Sequence, residues 1–399
     1  MKTLVKTLII SILFIACNSK DATDSIDSEY ESKDSFASLS SRGGESAGGS
    51  GGSGNGNSEA GIVTAGEWND LVQWDFWTNL LENAIQNDSD DKQAYWNIHT
   101  NNRVSVFVNS NGTPSKNTKV ELFKNTNLIW SGVTDNFGKA ELWISPFQKQ
   151  STVDFSEYHL KTDDQIWNGT VKPFSLGVNE INLNSSTNTS NKVELAFIVD
   201  ATGSMSDEID FLKDDLLDVL NKIKNNNSNN NIYTSAVFYR DETDDYLTKK
   251  LDFTDNFNTT ISFIQEQNAD GGGDYPEAVH TALDESINNL TWSEDSKTRI
   301  AFLLLDAPPH YNQTVIENIQ QLLKTSAKKG IKIIPITASG IDKNTEFLMR
   351  FSAILTNGTY SFITNHSGVG NDHIEASVGE YQVEKLNDLL VRLVNKYSE

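Results

Sequence analysis

The stretch Phe197-Ile198-Val199-Asp200-Ala201-Thr202-Gly203-Ser204-Met205-Ser206 decides the fold. An apolar run from Val193 to Val199 stops at an aspartate, and two hydroxyl residues follow at alternate positions with a glycine between them. Beyond them Ile209, Leu212, Leu216, Val219 and Ile223 recur at helical spacing. The pattern predicts a buried strand, a tight turn and a helix. Such a turn sets Asp200, Thr202 and Ser204 together above the carboxyl end of the strand, where open α/β sheets keep their sites. Three small oxygen-bearing side chains, with no nitrogen or sulfur among them, suit a hard divalent cation, Mg2+ or Ca2+.

Outward from this turn, residues 192–399 alternate strands and helices. Strands are predicted at 193–199, 232–239, 300–305, 331–337 and 360–363. Helices are predicted at 206–224, 275–289, 313–328, 343–354 and 382–396. That alternation implies an α/β, doubly wound, mostly parallel sheet covered on both faces, with 247–253 as one antiparallel edge strand. The interval reads as one unit able to fold on its own.

Two further loops carry oxygen ligands. Gln267-Asn268-Ala269-Asp270-Gly271-Gly272-Gly273-Asp274-Tyr275-Pro276-Glu277 holds three successive glycines, which let the backbone approach something closely. Asp274, with Glu277 three residues on and Pro276 between, also reads as a helix N-cap, and one carboxylate can serve both uses. Leu303-Leu304-Leu305-Asp306-Ala307-Pro308-Pro309-His310 ends an apolar strand on an aspartate. His310 is read as a loop residue, since every other candidate ligand is oxygen.

Asp200-Ala-Thr202-Gly-Ser204-Met resembles the metal-ion-dependent adhesion site of von Willebrand factor type A domains, whose usual form is Asp-x-Ser-x-Ser. The resemblance covers about half of the chain. It implies that Thr202 and Ser204 ligate directly, that Asp200 and Asp306 act largely through water, and that Asp274 fills the place of the family's second-loop threonine. Gly-Gly-Gly-Asp-x-Pro-Glu, Tyr239-Arg240-Asp241 and Asp-Ala-Pro-Pro-His are similar to the hemicentin-like and α-kinase-associated subgroup. Three carboxylates in place of two strengthen the hold on a cation and weaken its pull on an acidic ligand. Asp207 and Glu208 resemble the acidic pair of the adjacent calcium site in integrin β subunits. They equally suit a helix first turn.

Upstream the composition shifts several times. Residues 1–16 have Lys2 and Lys6 before an apolar run, as in a secretory signal, and Phe14-Ile15-Ala16-Cys17 resembles a bacterial lipobox. Cys17 is the single cysteine of the chain, which makes it the expected lipidation site and rules out a disulfide within the chain. Residues 17–60 are rich in Ser, Gly, Asp and Glu and read as a flexible tether. Residues 61–96 hold Trp68, Trp74, Trp77 and Trp96, with an aromatic stripe at helical spacing expected to pack on a neighbouring domain. Residues 97–185 show short alternating segments at 104–108, 120–123, 128–131, 140–144, 171–173 and 178–183 between turn residues, a small all-β sandwich. Its Val120-Glu-Leu-Phe and Gly132-Val-Thr-Asp-Asn-Phe-Gly-Lys-Ala-Glu-Leu stretches resemble carboxypeptidase-regulatory or transthyretin-like sandwiches. Residues 185–191 form a polar linker.

The formal net charge of −23 argues against a nucleic-acid partner. There is no P-loop, His-Glu-x-x-His or Gly-x-Ser-x-Gly motif, so a catalytic role is not expected. The expectation is a lipid-anchored protein of the cell envelope, at the outer membrane or cell surface. Its cation-bearing domain would bind a protein ligand, with an acidic side chain as one mode of contact. A metal-assisted hydrolase using His310 as base and a surface scaffold with a loop-stapling cation are the rival readings.

Overall fold

The computed structural model describes residues 63–86, 91–149, 152–162, 165–184, 189–365 and 374–399. Cys17, the expected signal at 1–16 and the expected tether at 17–60 lie outside the described residues. Among the described residues no helix is long and apolar enough to cross a membrane.

The centre of the molecule is β10 (Lys192–Asp200), apolar and buried along nearly its whole length. A strand buried on both faces reads as a continuous apolar run, because helices cover it above and below. It pairs in parallel with β11 (Asn231–Tyr239) on one side and β13 (Thr298–Leu305) on the other. β14 (Ile331–Thr337) and β15 (Tyr360–Ile363) continue the parallel order, and β12 (Thr248–Thr254) closes the far edge antiparallel to β11. The predicted strands agree with these to within two residues at each end.

The helices divide between the two faces. α3 (Ser206–Asn226), α4 (Phe257–Gln265) and α8 (Leu386–Ser398) bury their apolar sides in one core. α5 (Val279–Asn288), α6 (Gln313–Lys329) and α7 (Lys343–Leu355) bury theirs in the other. In α3 the residues that turn inward include Ile209, Leu212, Leu216, Val219 and Ile223, the stripe the spacing predicts. α6 starts at Asn312, whose side chain accepts from the Val315 amide, and stops at Gly330 with φ 68°. Both ends are therefore set by local chemistry. The helix α4 is absent from the sequence-based assignment. Its run Phe-Asn-Thr-Thr-Ile-Ser-Phe-Ile is rich in β-branched residues, and only packing on α3 and β11 settles it as a helix.

The α/β unit differs from expectation at its other edge. β1 (Thr64–Trp68), from the Trp-rich segment, pairs antiparallel with β15, and β16 (Glu384–Lys385) pairs with β1. The sheet thus has eight strands in the order β12-β11-β10-β13-β14-β15-β1-β16. The boundary drawn at 192 omits a strand that sits inside the sheet. Its reason is a pairing across about three hundred residues, which no local pattern reveals. α1 (Trp74–Gln86) and α2 (Lys92–Trp96) follow β1 and fasten it down. Trp77 is fully buried against Phe347 and Phe351 of α7, with its indole N–H donating to Thr100 at 2.9 Å. Trp96 donates to the Asn344 carbonyl at 2.7 Å. The aromatic stripe is a packing face, as expected.

The stretch between these parts forms two four-stranded sheets around a shared core. One joins β2 (Arg103–Ser110), β3 (Thr113–Pro114), β6 (Lys139–Trp143) and β9 (Asn179–Leu183). The other joins β4 (Lys119–Lys124), β5 (Asn127–Val133), β7 (Tyr158–Thr162) and β8 (Gln165–Ile166). Val104, Val106, Val120, Leu122, Trp130, Leu142 and Leu160 meet between them. Residues 171–173, read as a strand, instead lead into a short 3-10 turn at Phe174–Leu176, and β7, absent from the sequence-based strands, pairs antiparallel with β4. The sandwich packs through β5 on α6.

Candidate metal centre

β10 is the point where the winding reverses. The chain leaves it through α3 to β11 on one side, and later returns to β13 on the other. The loops after β10 and β13 therefore open a crevice at the carboxyl ends of the strands. Asp200 is the last residue of β10 and is fully buried. Its Oδ1 accepts from the Thr202 amide at 2.9 Å and the Thr202 hydroxyl at 2.7 Å. That turn leaves the hydroxyl lone pairs of Thr202 directed away from the carboxylate. Its Oδ2 makes no hydrogen bond of full geometry, and the one further donor beside the carboxylate is the buried Tyr239 hydroxyl, itself unsatisfied.

Asp306 follows β13 and is buried too, with Oδ1 lacking a partner. Ser204 hydrogen-bonds the Asp306 carboxylate, so the first and third loops meet as the spacing predicts. Burial pushes the Asp306 carboxyl up, against the pull of that hydrogen bond. Asp200 is pushed up to about 7, by burial first and the Asp306 charge second. Two buried carboxylates facing each other without a counter-charge are held apart from their ordinary state until something positive arrives.

The second loop departs from expectation. Asp274 is exposed. It does not cap a helix either: α5 begins at Val279 after Ala278, with no side-chain cap. The chain between bends at Asp274 and Tyr275 and is then held outside the helix where Glu277 forms a one-residue parallel bridge with Pro309, its amide donating to the Pro308 carbonyl at 2.8 Å. That bridge draws Glu277 inward. It is 3% exposed, with Oε2 unpartnered. A side chain on Gly272 would meet Glu277 Oε1 at 3.0 Å and Thr202 Cβ at 3.1 Å, so both residues crowd the α-carbon of Gly272. Burial pushes the Glu277 carboxyl up to about 9, with the charges of Asp200, Asp241, Asp244 and Asp306 adding to it. The one sequence signal for this residue is Glu277 following Pro276 after three glycines, a pattern that equally suits a helix cap.

The glycines have definite work. Gly271 and Gly272 have φ of 80° and 73°, and a Cβ on Gly271 would lie 2.3 Å from Asp244 Oδ1. The Gly272 amide donates to Asp244, and the Gly203 amide donates to the Gly271 carbonyl at 3.2 Å. Arg240 spans the same loops, donating to the carbonyls of Ala201 and Asn268. His310 is a loop residue whose Nε2 sits 2.6 Å from Oδ1 of the buried Asp241. Asp207 and Glu208 fall in the first turn of α3, where the helix dipole favours acids. Glu208 is buried, and that burial pushes its carboxyl up to about 7.

Among the described residues no three His, Cys, Asp or Glu side chains are spaced to hold a metal ion by themselves. A cation here would rest on the Thr202 and Ser204 hydroxyls and on water as much as on carboxylates. The orphaned oxygens of Asp200 and Asp306 beside those hydroxyls fit a hard divalent cation by donor type.

The α/β part of the chain is a von Willebrand factor A domain: residues 194–369 match the family model of that description. The match takes in β10 to β15 and leaves out β1, β16 and α8. Among curated proteins, the chain is 35% identical over 133 residues to the putative ariadne-like RING finger protein R811 of Acanthamoeba polyphaga mimivirus, covering 33% of this chain and 13% of that protein. It is 32% identical over 119 residues to the alpha-protein kinase vwkA of Dictyostelium discoideum, covering 30% of this chain and 19% of that protein. The chain thus spans a small part of the length of either relative. Two solved structures are similar at a lower level. The pilus adhesin SpaC of Lactobacillus rhamnosus GG aligns with a TM-score of 0.36 at 10% identity, over 53% of this chain and 31% of that one. The conserved hypothetical protein BatB of Bacteroides thetaiotaomicron aligns with a TM-score of 0.32 at 13% identity, over 52% of this chain and 98% of that one.

Proposed function

We propose that this protein is a lipid-anchored binding protein of the cell envelope, whose A domain captures a protein partner at a divalent-cation site, Mg2+ or Ca2+, in the Asp200, Thr202, Ser204 and Asp306 loops. One observation carries the reading. Two buried carboxylate oxygens, Asp200 Oδ2 and Asp306 Oδ1, make no hydrogen bond of full geometry, the first with only the Tyr239 hydroxyl near its carboxylate, while the hydroxyls of Thr202 and Ser204 stand beside the two carboxylates. The large majority of buried polar atoms in native proteins are hydrogen-bonded, and two unsatisfied carboxylate oxygens close together at one crevice call for a reason. The cation supplies charge neutralisation and a coordination position for a partner oxygen, and the chain supplies the oxygen cradle. The stretch shared with vwkA supports the hemicentin-like and α-kinase-associated subgroup. The two-sheet core supports the carboxypeptidase-regulatory-like reading of 97–185. Lipid on Cys17 would tether the folded part at the outer membrane or cell surface.

The test is thermal melting of the chelator-treated chain with added Ca2+ or Mg2+, paired with capture of partners from native surface extracts with and without chelator. Metal should raise the melting temperature by mass action, Ser204→Ala should reduce that rise, and capture should need metal. Absence of any metal-induced rise sinks the cation site. A metal-assisted hydrolase has one observation in its favour, the His310–Asp241 pair, which holds a base in fixed orientation. Hydrolase activity lost in His310→Ala, with the metal-induced rise intact, would favour it.

A further inference from the structure

We infer that the cleft between the β-sandwich and the A domain is a binding site for a small organic anion: a carboxylate carried on a six-membered ring. The inference is independent of the cation reading above. Arg299, in the cleft wall, stands at the amino end of β13, and Asp306 follows the carboxyl end of the same strand, about 20 Å away.

The cleft encloses about 640 Å3. That volume suits a small ligand, and such sites favour the joins between domains. Asn117, Lys119 and Val133 form the sandwich wall. On the A-domain side Leu290 and Trp292 come from the connection between α5 and β13, and Lys328 and Lys329 from the end of α6. The two walls are pinned to each other. Asn117 accepts from Arg299 Nη1 at 3.0 Å and donates to the Glu294 carbonyl at 2.9 Å. The cleft is therefore formed before any ligand arrives, and little ordering is needed on binding.

The charge of the cleft is opposite to that of the chain. The chain carries a formal −23, yet Lys119, Arg299, Lys328 and Lys329 line the cleft against one acid, Glu294. Lys119 pairs with Glu121. Arg299 and Lys329 are held instead by uncharged groups. Arg299 donates to the Ser293 and Glu294 carbonyls, and Lys329 to the Ile287 carbonyl at 2.7 Å. Carbonyls position a cation without neutralising it. Burial pushes Arg299 down even though Glu194, Asp295 and Glu294 pull the other way. Burial also lowers Lys329, and the charge of Lys328 lowers it further. A bound anion relieves that crowding of positive charge.

The remaining lining residues select the body of the ligand. Trp292 is half-buried, with its indole N–H donating to the Ser286 carbonyl at 2.8 Å and its ring packed edge-on against Phe253 at 4.7 Å. It is a fixed aromatic group beside the cations, suited to packing against a ring. The hydroxyls of Thr291 and Ser293 are already engaged by Asp252 and Glu194. A neutral polyol therefore finds few partners here, and a ligand's polar contacts fall on the amines.

The experiment is calorimetric titration of the full chain at low salt with benzoate, glucuronate, glucose and inorganic phosphate, since screening weakens such contacts. Benzoate or glucuronate should bind at one site with a dissociation constant below about 1 mM. Glucose and phosphate should bind at least tenfold more weakly. Lys119→Glu and Lys328→Glu, exposed on opposite walls, should each weaken the better ring acid about tenfold. Trp292→Leu should weaken it about fivefold, with the melting temperature recorded alongside. Lys222→Glu, on α3 across the sheet, should change it less than about twofold. Tighter binding of benzoate assigns an aromatic acid, and tighter binding of glucuronate an acidic sugar. Failure of both ring acids to saturate overturns the site. Phosphate binding as tight as theirs reduces it to an adventitious ion only. Affinity unchanged in Lys119→Glu and Lys328→Glu, or lost equally in Lys222→Glu, overturns the placement in this cleft.

Discussion

Replacing Asp70 by Ala should destabilise the A domain from outside its matched sequence. Asp70 follows β1 and holds Arg350 of α7 with two hydrogen bonds, 2.9 Å to Nε and 2.6 Å to Nη2. The Trp68 indole donates to the same carboxylate at 3.0 Å. Both side chains of the pair are within 1% of full burial. Removing one member of a buried pair leaves an uncompensated charge, at a cost of about 3–5 kcal/mol. Arg350 keeps a second carboxylate, Glu346, at 3.6 Å, and the Ser377 carbonyl at 2.6 Å, so the lower end, about 3 kcal/mol, is expected. At roughly 2.1 cal/mol/K of unfolding entropy per residue, a folded part of about 340 residues shifts by near 1.4 °C per kcal/mol. Asp70→Ala should lower the melting temperature by about 4 °C in differential scanning calorimetry. Asp70→Leu combined with Arg350→Met, which removes both charges, should recover most of it. A drop under 1 °C for Asp70→Ala, or a double variant worse than the single, would refute the reasoning that β1 is an integral, charge-pinned strand of this domain.

A chain cut to 192–399 loses β1 and exposes the β15 edge and the α7 surface that covers Trp77, so it should melt well below 63–399 or associate through the open edge; equal melting temperatures and a monomeric elution profile would count against the fold assignment. The metal-free protein should lose stability as pH rises from about 4.5 to 9. Asp200 and Glu208 near 7 and Glu277 near 9 hold protons that the unfolded chain has already released, so their contribution is complete below the ordinary carboxylate range and fades through those folded values. Excess Ca2+ should flatten that slope, and a metal-free melting temperature that climbs across this range would show the sign to be wrong. Cys17→Ser should move the protein from the membrane to the soluble fraction, and continued membrane association at equal yield would remove the anchor.

The A domain was legible in the sequence because its strands are fully buried and its helices amphipathic, and both leave periodic marks on a local window. Asp200, Thr202 and Ser204 were legible because they share one turn directly after such a strand, and Asp306 because it ends another. Each of these depends on neighbours within a few residues. Three features were decided by tertiary structure alone. The strand Thr64–Trp68 joins the sheet by pairing with Tyr360–Ile363, and its own five residues say nothing of that partner. The helix Phe257–Gln265 is fixed by what it packs on, since its β-branched residues would serve a strand as well. Glu277 is buried while Asp274 is exposed because a single bridge to Pro309 ties Glu277 to the third loop, and whether a carboxylate faces solvent or the interior depends on a contact between loops that are more than thirty residues apart.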